Sequence, residues 1–337
     1  MSCALRILTF NWHEPYICLL AKTGHAFDVA EPSGGRAGVH RWDGRVRPKP
    51  ENVTVTGMDD AIKGLKENLH DLVICHNFRD LKNVAEYSTP AVLTFHNKLA
   101  AELAIGGGTV SREDYLAGVA PLAGRAEALV FVSEGKREDW SFGRGRVIKP
   151  CVDIDDLIPY GGEEKKILRV GNLMKERDMM LGYNLQEAIC EGFPHTLAGD
   201  NPSIESSRPA EGWDELKSMY ASHRIYLNTT LFPYEDGYNL AMLEAMGSGA
   251  PVVSWSNPTS PIENGVNGFV SKDIDAIRAA LSGLMGNRNF AAKIGEQGRE
   301  TVRWKFSVDE FVKAWDAVFG DVLGKKGESS ESGGITA

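Results

Sequence analysis

The sequence predicts an α/β protein made of two doubly wound, Rossmann-like parallel-sheet domains. Three observations carry that reading. Short, continuously apolar runs such as "DLVICH" (71–76), "AVLTFH" (91–96) and "ALVFVS" (128–133) alternate with helix-compatible segments. Strands read this way when helices cover both faces of a parallel sheet. The rhythm breaks at "KPCVDIDDLIPYGGEEKK" (149–166) and then restarts. A chain of 337 residues also exceeds what one core usually organises.

"RILTFNW" reads as the first strand. "PYICLLAKTG" follows as a helix, with Pro15 near its start and Gly24 just past its end. "HAFDVA" is the next strand, and the three apolar runs above complete an N-terminal domain over 1–155. Segment 149–166, rich in Pro, Gly and charge, reads as the interdomain linker. In a second domain over 156–305, the strands are "KILRVGN", "HTLAG", "RIYLN" and "PVVSW". Between and after them come the helices "RDMMLGYNLQEAI", "EGWDELKSMYASH", "LAMLEAM", "DIDAIRAALSGLM" and "NRNFAAKIGEQGRETVRWKF". An amphipathic helix over 306–323 is expected to pack back toward the N-terminal domain. The apolar-poor tail 324–337 is expected to be disordered.

Composition excludes several function classes. At 42% hydrophobic and 25% charged residues, the chain reads as soluble and globular. No apolar run approaches the length of a membrane span, and "MSCALRILTF" reads as a first strand rather than a signal peptide. Five scattered cysteines, never in Cys-x-x-Cys spacing, point to a reducing cytoplasm and to neither a disulfide framework nor a zinc site. A net charge of −9 argues against nucleic acid as a partner. That charge is uneven: residues 1–155 hold 19 Lys and Arg against 20 Asp and Glu, whereas residues 156–337 hold 18 against 26. The stretch 36–49 concentrates five Lys and Arg with one acid. Such a loop suits an anionic acceptor or peripheral contact with the inner membrane surface, although a solvated loop reads the same. No Gly-x-Gly-x-x-Gly follows the first strand, and neither a Walker lysine nor a Gly-x-Ser-x-Gly elbow is present.

In doubly wound sheets, ligands sit beyond the carboxyl ends of the strands. His13, His76 and His96 all follow strands. They are not at metal-ligand spacing, so no metal is expected. The richest stretch is "EDGYNLAMLEAMGSGAPVV" (235–253). There Gly237 permits close backbone approach to a ligand, and Asn239 can cap a helix opening at Leu240. The free N–H groups of that helix start suit an anion or hydroxyls. Asp236 precedes the site. Glu244 lies one turn in among apolar neighbours, where an unpaired carboxylate is costly; a carboxylate there can take two hydroxyls of a ribose.

From Asp236 to Val253 these residues resemble the signature of retaining GT-B glycosyltransferases, glycosyltransferase family 4 (glycosyl transferases group 1). "RVGNLMKER", "AGDNP", "PIENGVNGFV" and "VFVSEGKRE" resemble further elements of that family. The resemblance implies a GT-B fold with two domains facing a cleft. It also implies a nucleoside-diphosphate-sugar donor as substrate, no cofactor, no metal, and transfer with retained configuration to a glycan, lipid-linked or small-molecule acceptor. By resemblance, Asp236 and His96 meet the donor sugar at the reaction centre, Arg177 neutralises the diphosphate, and Glu244 binds the ribose. Backbone groups of Gly237, Tyr238, Asn239 and Leu240 hold sugar hydroxyls and phosphate. His13 stands where the family has a glycine-rich loop. Three positions depart from the pattern: Asp236 replaces a glutamate, Asn172 an arginine, and Arg177 a lysine. The lost cation at Asn172 keeps two rival readings open, a catalytically degenerate sugar-nucleotide-binding or partner protein, and a sugar-nucleotide epimerase.

Overall fold

The structure, a computed structural model, describes residues 4–31 and 41–331. Residues 36–40 of the basic stretch and 332–337 of the tail lie outside the described residues. The chain divides into two compact units, Met1–Pro150 with Asp309–Ala337, and Cys151–Val308.

The first unit is built on a seven-stranded sheet: β1 (Arg6–Phe10), β2 (Ala26–Glu31), β3 (Val53–Gly57), β4 (Leu72–Cys75), β5 (Ala91–Phe95), β6 (Ala128–Phe131) and β7 (Arg146–Val147). All pairs are parallel, in the order β3-β2-β1-β4-β5-β6-β7. The order reverses between β1 and β4, where the carboxyl ends of neighbouring strands open a crevice. One face is sealed by Leu8, Val73, Leu93 and Phe131, all buried, with Phe95 stacked on Phe131 at 4.7 Å between ring centroids. The helix Val308–Glu331 belongs to this unit through Phe311, Trp315, Val318, Phe319 and Val322, a buried stripe at helical spacing. His25 pairs with Asp316 at 3.4 Å, and Arg146 with Asp321.

The second unit holds a five-stranded sheet: β8 (Glu164–Val170), β9 (His195–Ala198), β10 (His223–Asn228), β11 (Val252–Trp255) and β12 (Phe269–Ser271). It is parallel throughout, in the order β12-β11-β10-β8-β9. Here the order reverses between β8 and β10.

The alternating apolar strands and helices thus form two parallel sheets, as the apolar runs predict. Several local expectations need correction. Segment 149–166, read as the interdomain linker, contains the boundary between the units at Pro150 and Cys151, and beyond that boundary it is packed: Val152 and Leu157 are buried in the core of the second unit. Gly247 makes room for them, since a Cβ there would sit 2.9 Å from Leu157 and 3.0 Å from Val152. "RDMMLGYNLQEAI" is two helices, Asp178–Leu181 and Tyr183–Cys190. Gly182 separates them at φ +64°, pressed so close that a Cβ would stand 2.7 Å from the Thr229 carbonyl oxygen. Residues 324–331, expected to be disordered, continue the last helix. Once the apolar stripe has nucleated it, each further turn costs little. The strands β3, β7 and β12 lie at or near sheet edges, where short, half-exposed segments lack a continuous apolar run.

Glycine contacts give a direct test of this packing. A Cβ at Gly295 would lie 1.9 Å from the Gly249 carbonyl oxygen, whereas one at Gly283 meets nothing within 4 Å. Gly295→Ala should destabilise the protein by about 1–3 kcal/mol, as overpacking does. Gly283→Ala, on the open face of a helix, should stabilise it by about 0.5–1 kcal/mol. Thermal unfolding of both variants reads the pair; equal Tm values would contradict the packing described.

Candidate functional site

In the second unit, the loops after β8 and β9 are knitted together by Asn201. Its Oδ1 accepts from the Met174 backbone N–H at 2.7 Å, and its Nδ2 donates to the Gly171 carbonyl at 2.8 Å and to Ser207 Oγ at 2.9 Å. Gly199, at φ +148°, lies so close to Gly171 that a Cβ would be 2.0 Å from its carbonyl oxygen. Asn172 adds a further tie, its Oδ1 accepting from Asp200 N–H at 2.9 Å. Asn172 thus stands at the loop surface but spends its amide oxygen on the backbone, not on an approaching ligand. Leu173 is held in the left-handed region at φ +51°, a conformation a leucine adopts only under constraint.

Arg177 follows on this loop, just before the short helix Asp178–Leu181. Burial holds its pKa below the ordinary arginine value, and the Glu235 carboxylate acts in the opposite direction. The helix it leads into is tied to the loop after β10 through Leu231 N–H donating to the Met180 carbonyl at 2.8 Å. A withdrawn cation therefore faces the acid-bearing turn.

That turn is tightly ordered. Asp236 N–H donates to Glu235 Oε1 at 2.8 Å, and Gly237 N–H donates to Thr259 Oγ1 at 2.7 Å. Thr259 Oγ1 also lies 3.4 Å from Asp236 Oδ1. Asp236 is only 1% exposed, so its carboxylate is covered by the protein. A Cβ at Gly237 would lie 2.5 Å from the Ser260 backbone nitrogen, so loop packing also needs a glycine there, and its N–H is given to Thr259 Oγ1. Tyr238 packs its ring on Phe306, 5.3 Å between centroids. Asn239 caps the helix Leu240–Ser248, with Oδ1 accepting from Met242 N–H at 2.8 Å. Leu240 opens that helix and is half-buried on its apolar side.

Glu244, buried on the same helix, accepts from Tyr220 Oη–H at 3.0 Å. This answers the cost that the sequence raises for a carboxylate among Leu243, Ala245 and Met246. Tyr220 lies on the helix Trp213–Ser222 and is itself 1% exposed. Arg169, a nearby basic residue in the sequence, is committed elsewhere: it is buried and pairs with Glu187 at 2.5 Å.

In the first unit, the crevice between β1 and β4 collects the histidines. His13 occupies the N-cap position of the helix Glu14–Ala21, in extended backbone. His76 and His96 hydrogen-bond each other, Nδ1 to Nε2, at 2.9 Å. Tyr16 meets His96 edge-on at 4.6 Å between ring centroids. Burial pushes His76 down to about 3, helped by His13. It also holds His96 well below the ordinary imidazole value, with His76, His13 and Lys136 acting the same way. Both rings are therefore neutral near pH 7. Of the basic stretch, Arg41 and Lys49 line a cavity of about 550 Å³ together with Glu31 and Trp42. Among the described residues, no three His, Cys, Asp or Glu side chains are grouped as metal ligands would be. No helix among them is long and apolar enough to cross a membrane.

The two parallel sheets, each with its own switch point, make the GT-B fold. A structure of Anabaena Alr3699/HepE in complex with UDP and glucose is similar over 94% of this chain and 99% of its own, with a TM-score of 0.70 at 16% identity. Sucrose-phosphate synthase from Thermosynechococcus elongatus is similar over 95% and 100%, with a TM-score of 0.64 at 13% identity. Residues 193–287 match the family described as Glycosyl transferases group 1. An exopolysaccharide phosphotransferase of Streptomyces coelicolor is 24% identical over 225 residues. That match covers 59% of this chain, and the chain spans about a quarter of the length of that relative, 24%.

Sequence reasoning did not single out Asn201, Tyr220 or Thr259. Only the "AGDNP" turn carried a signal for the first; the others are single polar residues in ordinary helix and loop surroundings. Asn201→Ala should remove three bonds and cost about 1–3 kcal/mol. Hydrogen exchange at the Met174 amide should speed up. Unchanged exchange there would contradict the knitting role.

Proposed function

We propose that the protein is a retaining, metal-independent glycosyltransferase that moves a sugar from a nucleoside-diphosphate sugar to an acceptor hydroxyl. The observation that supports this best is the convergence at the carboxyl ends of β8 and β10. The capped start of helix Leu240–Ser248, the withdrawn Arg177 cation and the Tyr220-held Glu244 belong to one region. A helix start and a partly desolvated guanidinium suit a diphosphate, and they gain on the leaving group as its charge develops. Glu244, aimed by Tyr220, suits the vicinal diol of a ribose. Asp236 is the acid we assign to the donor sugar, and His96 of the first unit is the residue we assign to the reacting sugar. The solved neighbours include Anabaena Alr3699/HepE in complex with UDP and glucose and with UDP-glucose, which makes a uridine nucleotide the first donor to try. The acceptor hydroxyl attacks the face the nucleotide leaves, and the departing phosphate takes its proton. Arg41 and Lys49 beside Trp42 suit an anionic or lipid-linked glycan acceptor and contact with a membrane surface.

The second reading, a binding module without transfer, is favoured by Asn172, whose amide is spent on Asp200 where the family carries a cation. A panel of UDP-, GDP- and ADP-sugars separates the two. Release of nucleoside diphosphate supports the transferase; binding without release supports the module; neither binding nor release with any donor sinks both. Glu244→Ala should abolish donor binding while leaving the Tm within a few degrees of wild type. Tyr220→Phe, which loses one neutral hydrogen bond, should weaken donor binding by roughly tenfold at most. Near wild-type activity in Glu244→Ala would overturn the ribose assignment.

A further inference from the structure

One hydrogen-bond chain runs through three side chains at the ends of β1, β4 and β5. Thr9 Oγ1 lies 3.0 Å from the Ile74 carbonyl oxygen and 2.8 Å from His76 Nε2. His76 Nδ1 lies 2.9 Å from His96 Nε2. A carbonyl oxygen only accepts, and a threonine hydroxyl owns one hydrogen. If that hydrogen pointed at His76, two oxygens would face each other unbridged at 3.0 Å around a side chain that is 0% exposed. Thr9 therefore donates to Ile74 and accepts from His76 Nε2–H. A neutral imidazole carries one N–H, so His76 Nδ1 is a lone pair, and His96 Nε2–H must fill it. His96, neutral in its turn, is left with its lone pair on Nδ1.

We propose that Thr9 and His76 are positioning residues that hold His96 as a hydrogen-bond acceptor at Nδ1, and that the group it takes is a hydroxyl of a neutral sugar ring rather than a carboxylate. A lone pair attracts an O–H and repels an anion. The surroundings fit such a ring: Trp12, 42% exposed, lies stacked beside His96 with 6.4 Å between centroids. Exposed indole faces accept the apolar side of a pyranose. The charged and titratable groups around this chain include His13, Lys136, Tyr16 and Asp80, whose carboxylate accepts from the His76 backbone N–H at 3.0 Å. The identity of the ligand rests on the transferase reading; the direction of the hydrogen-bond chain does not.

The direct test is long-range ¹⁵N–¹H correlation of the histidine rings in the full chain at neutral pH. Both His76 and His96 should appear as the neutral Nε2–H tautomer. A His96 ring protonated at Nδ1, or on both nitrogens, would overturn the proposal. In Thr9→Val the anchor is gone, and His96 should show a mixture of tautomers; Thr9→Ser should restore the single form. An unchanged spectrum in Thr9→Val would remove Thr9 from the chain. Titration with UDP-glucose and UDP-glucuronate reads the selectivity. The neutral sugar should bind at least roughly tenfold more tightly, and the difference should shrink in Thr9→Val through KM rather than kcat. Equal affinity, or preference for the glucuronate, overturns the selectivity. If no donor of the UDP-, GDP- and ADP-sugar panel binds, the ligand assignment falls together with the transferase reading, and the ring spectra still decide the tautomers.

Discussion

Both units depend on one constraint: a buried parallel sheet must satisfy its polar groups where its strands end. The strands themselves are apolar and pair with each other. The loops beyond their carboxyl ends have no such ladder, so side chains do the work. Asn201 bridges two loops after β8 and β9, and Asn172 adds a third tie. In the first unit the Thr9–His76–His96 chain plays the same part after β1, β4 and β5. The chemistry-bearing residues stand where they do because the sheet leaves its unsatisfied backbone there.

This explains which parts of the molecule were legible in the sequence. The central strands are continuous apolar runs, and their alternation with helices announces two parallel sheets. Residues directly after them, His13, His76, His96 and Asn172, could be placed at strand ends by counting alone. The helix at Leu240 was legible because Asn239 is a strong cap and Gly249, at φ +93°, a strong stop. The edge strands β3, β7 and β12 were not, since they have no full apolar face to reveal them. Nor was the fate of 149–166, because burial of Val152 and Leu157 depends on the small Gly247 almost a hundred residues later.

The site was legible in its residues and less so in their partners. Glu244 stands out as a carboxylate in an apolar helix, but nothing in the sequence pairs it with Tyr220. Gly237 stands out as a glycine that must be a glycine, but nothing in the sequence shows that a Cβ there would meet the Ser260 nitrogen. The sequence separates Asp236 from Glu235 only by its place in the family pattern. The structure adds the physical difference: Glu235 braces the turn through the Asp236 N–H, and Thr259 sits against Asp236. Such distinctions arise from long-range contacts that no local pattern encodes. The departure at Asn172 gains a physical meaning in the same way, since an arginine there would give up the bond to Asp200 and exchange loop order for charge.

The central claim is that the second unit holds a nucleoside diphosphate at the helix start beside Arg177. The most direct measurement is amide chemical-shift mapping of the ¹⁵N-labelled protein titrated with UDP, GDP and ADP. The account predicts saturable shifts for at least one nucleotide, centred on Asn172, Arg177, Asn239, Leu240 and Ala241. Saturable shifts confined to other surfaces, or no shifts with any of the three, would contradict it.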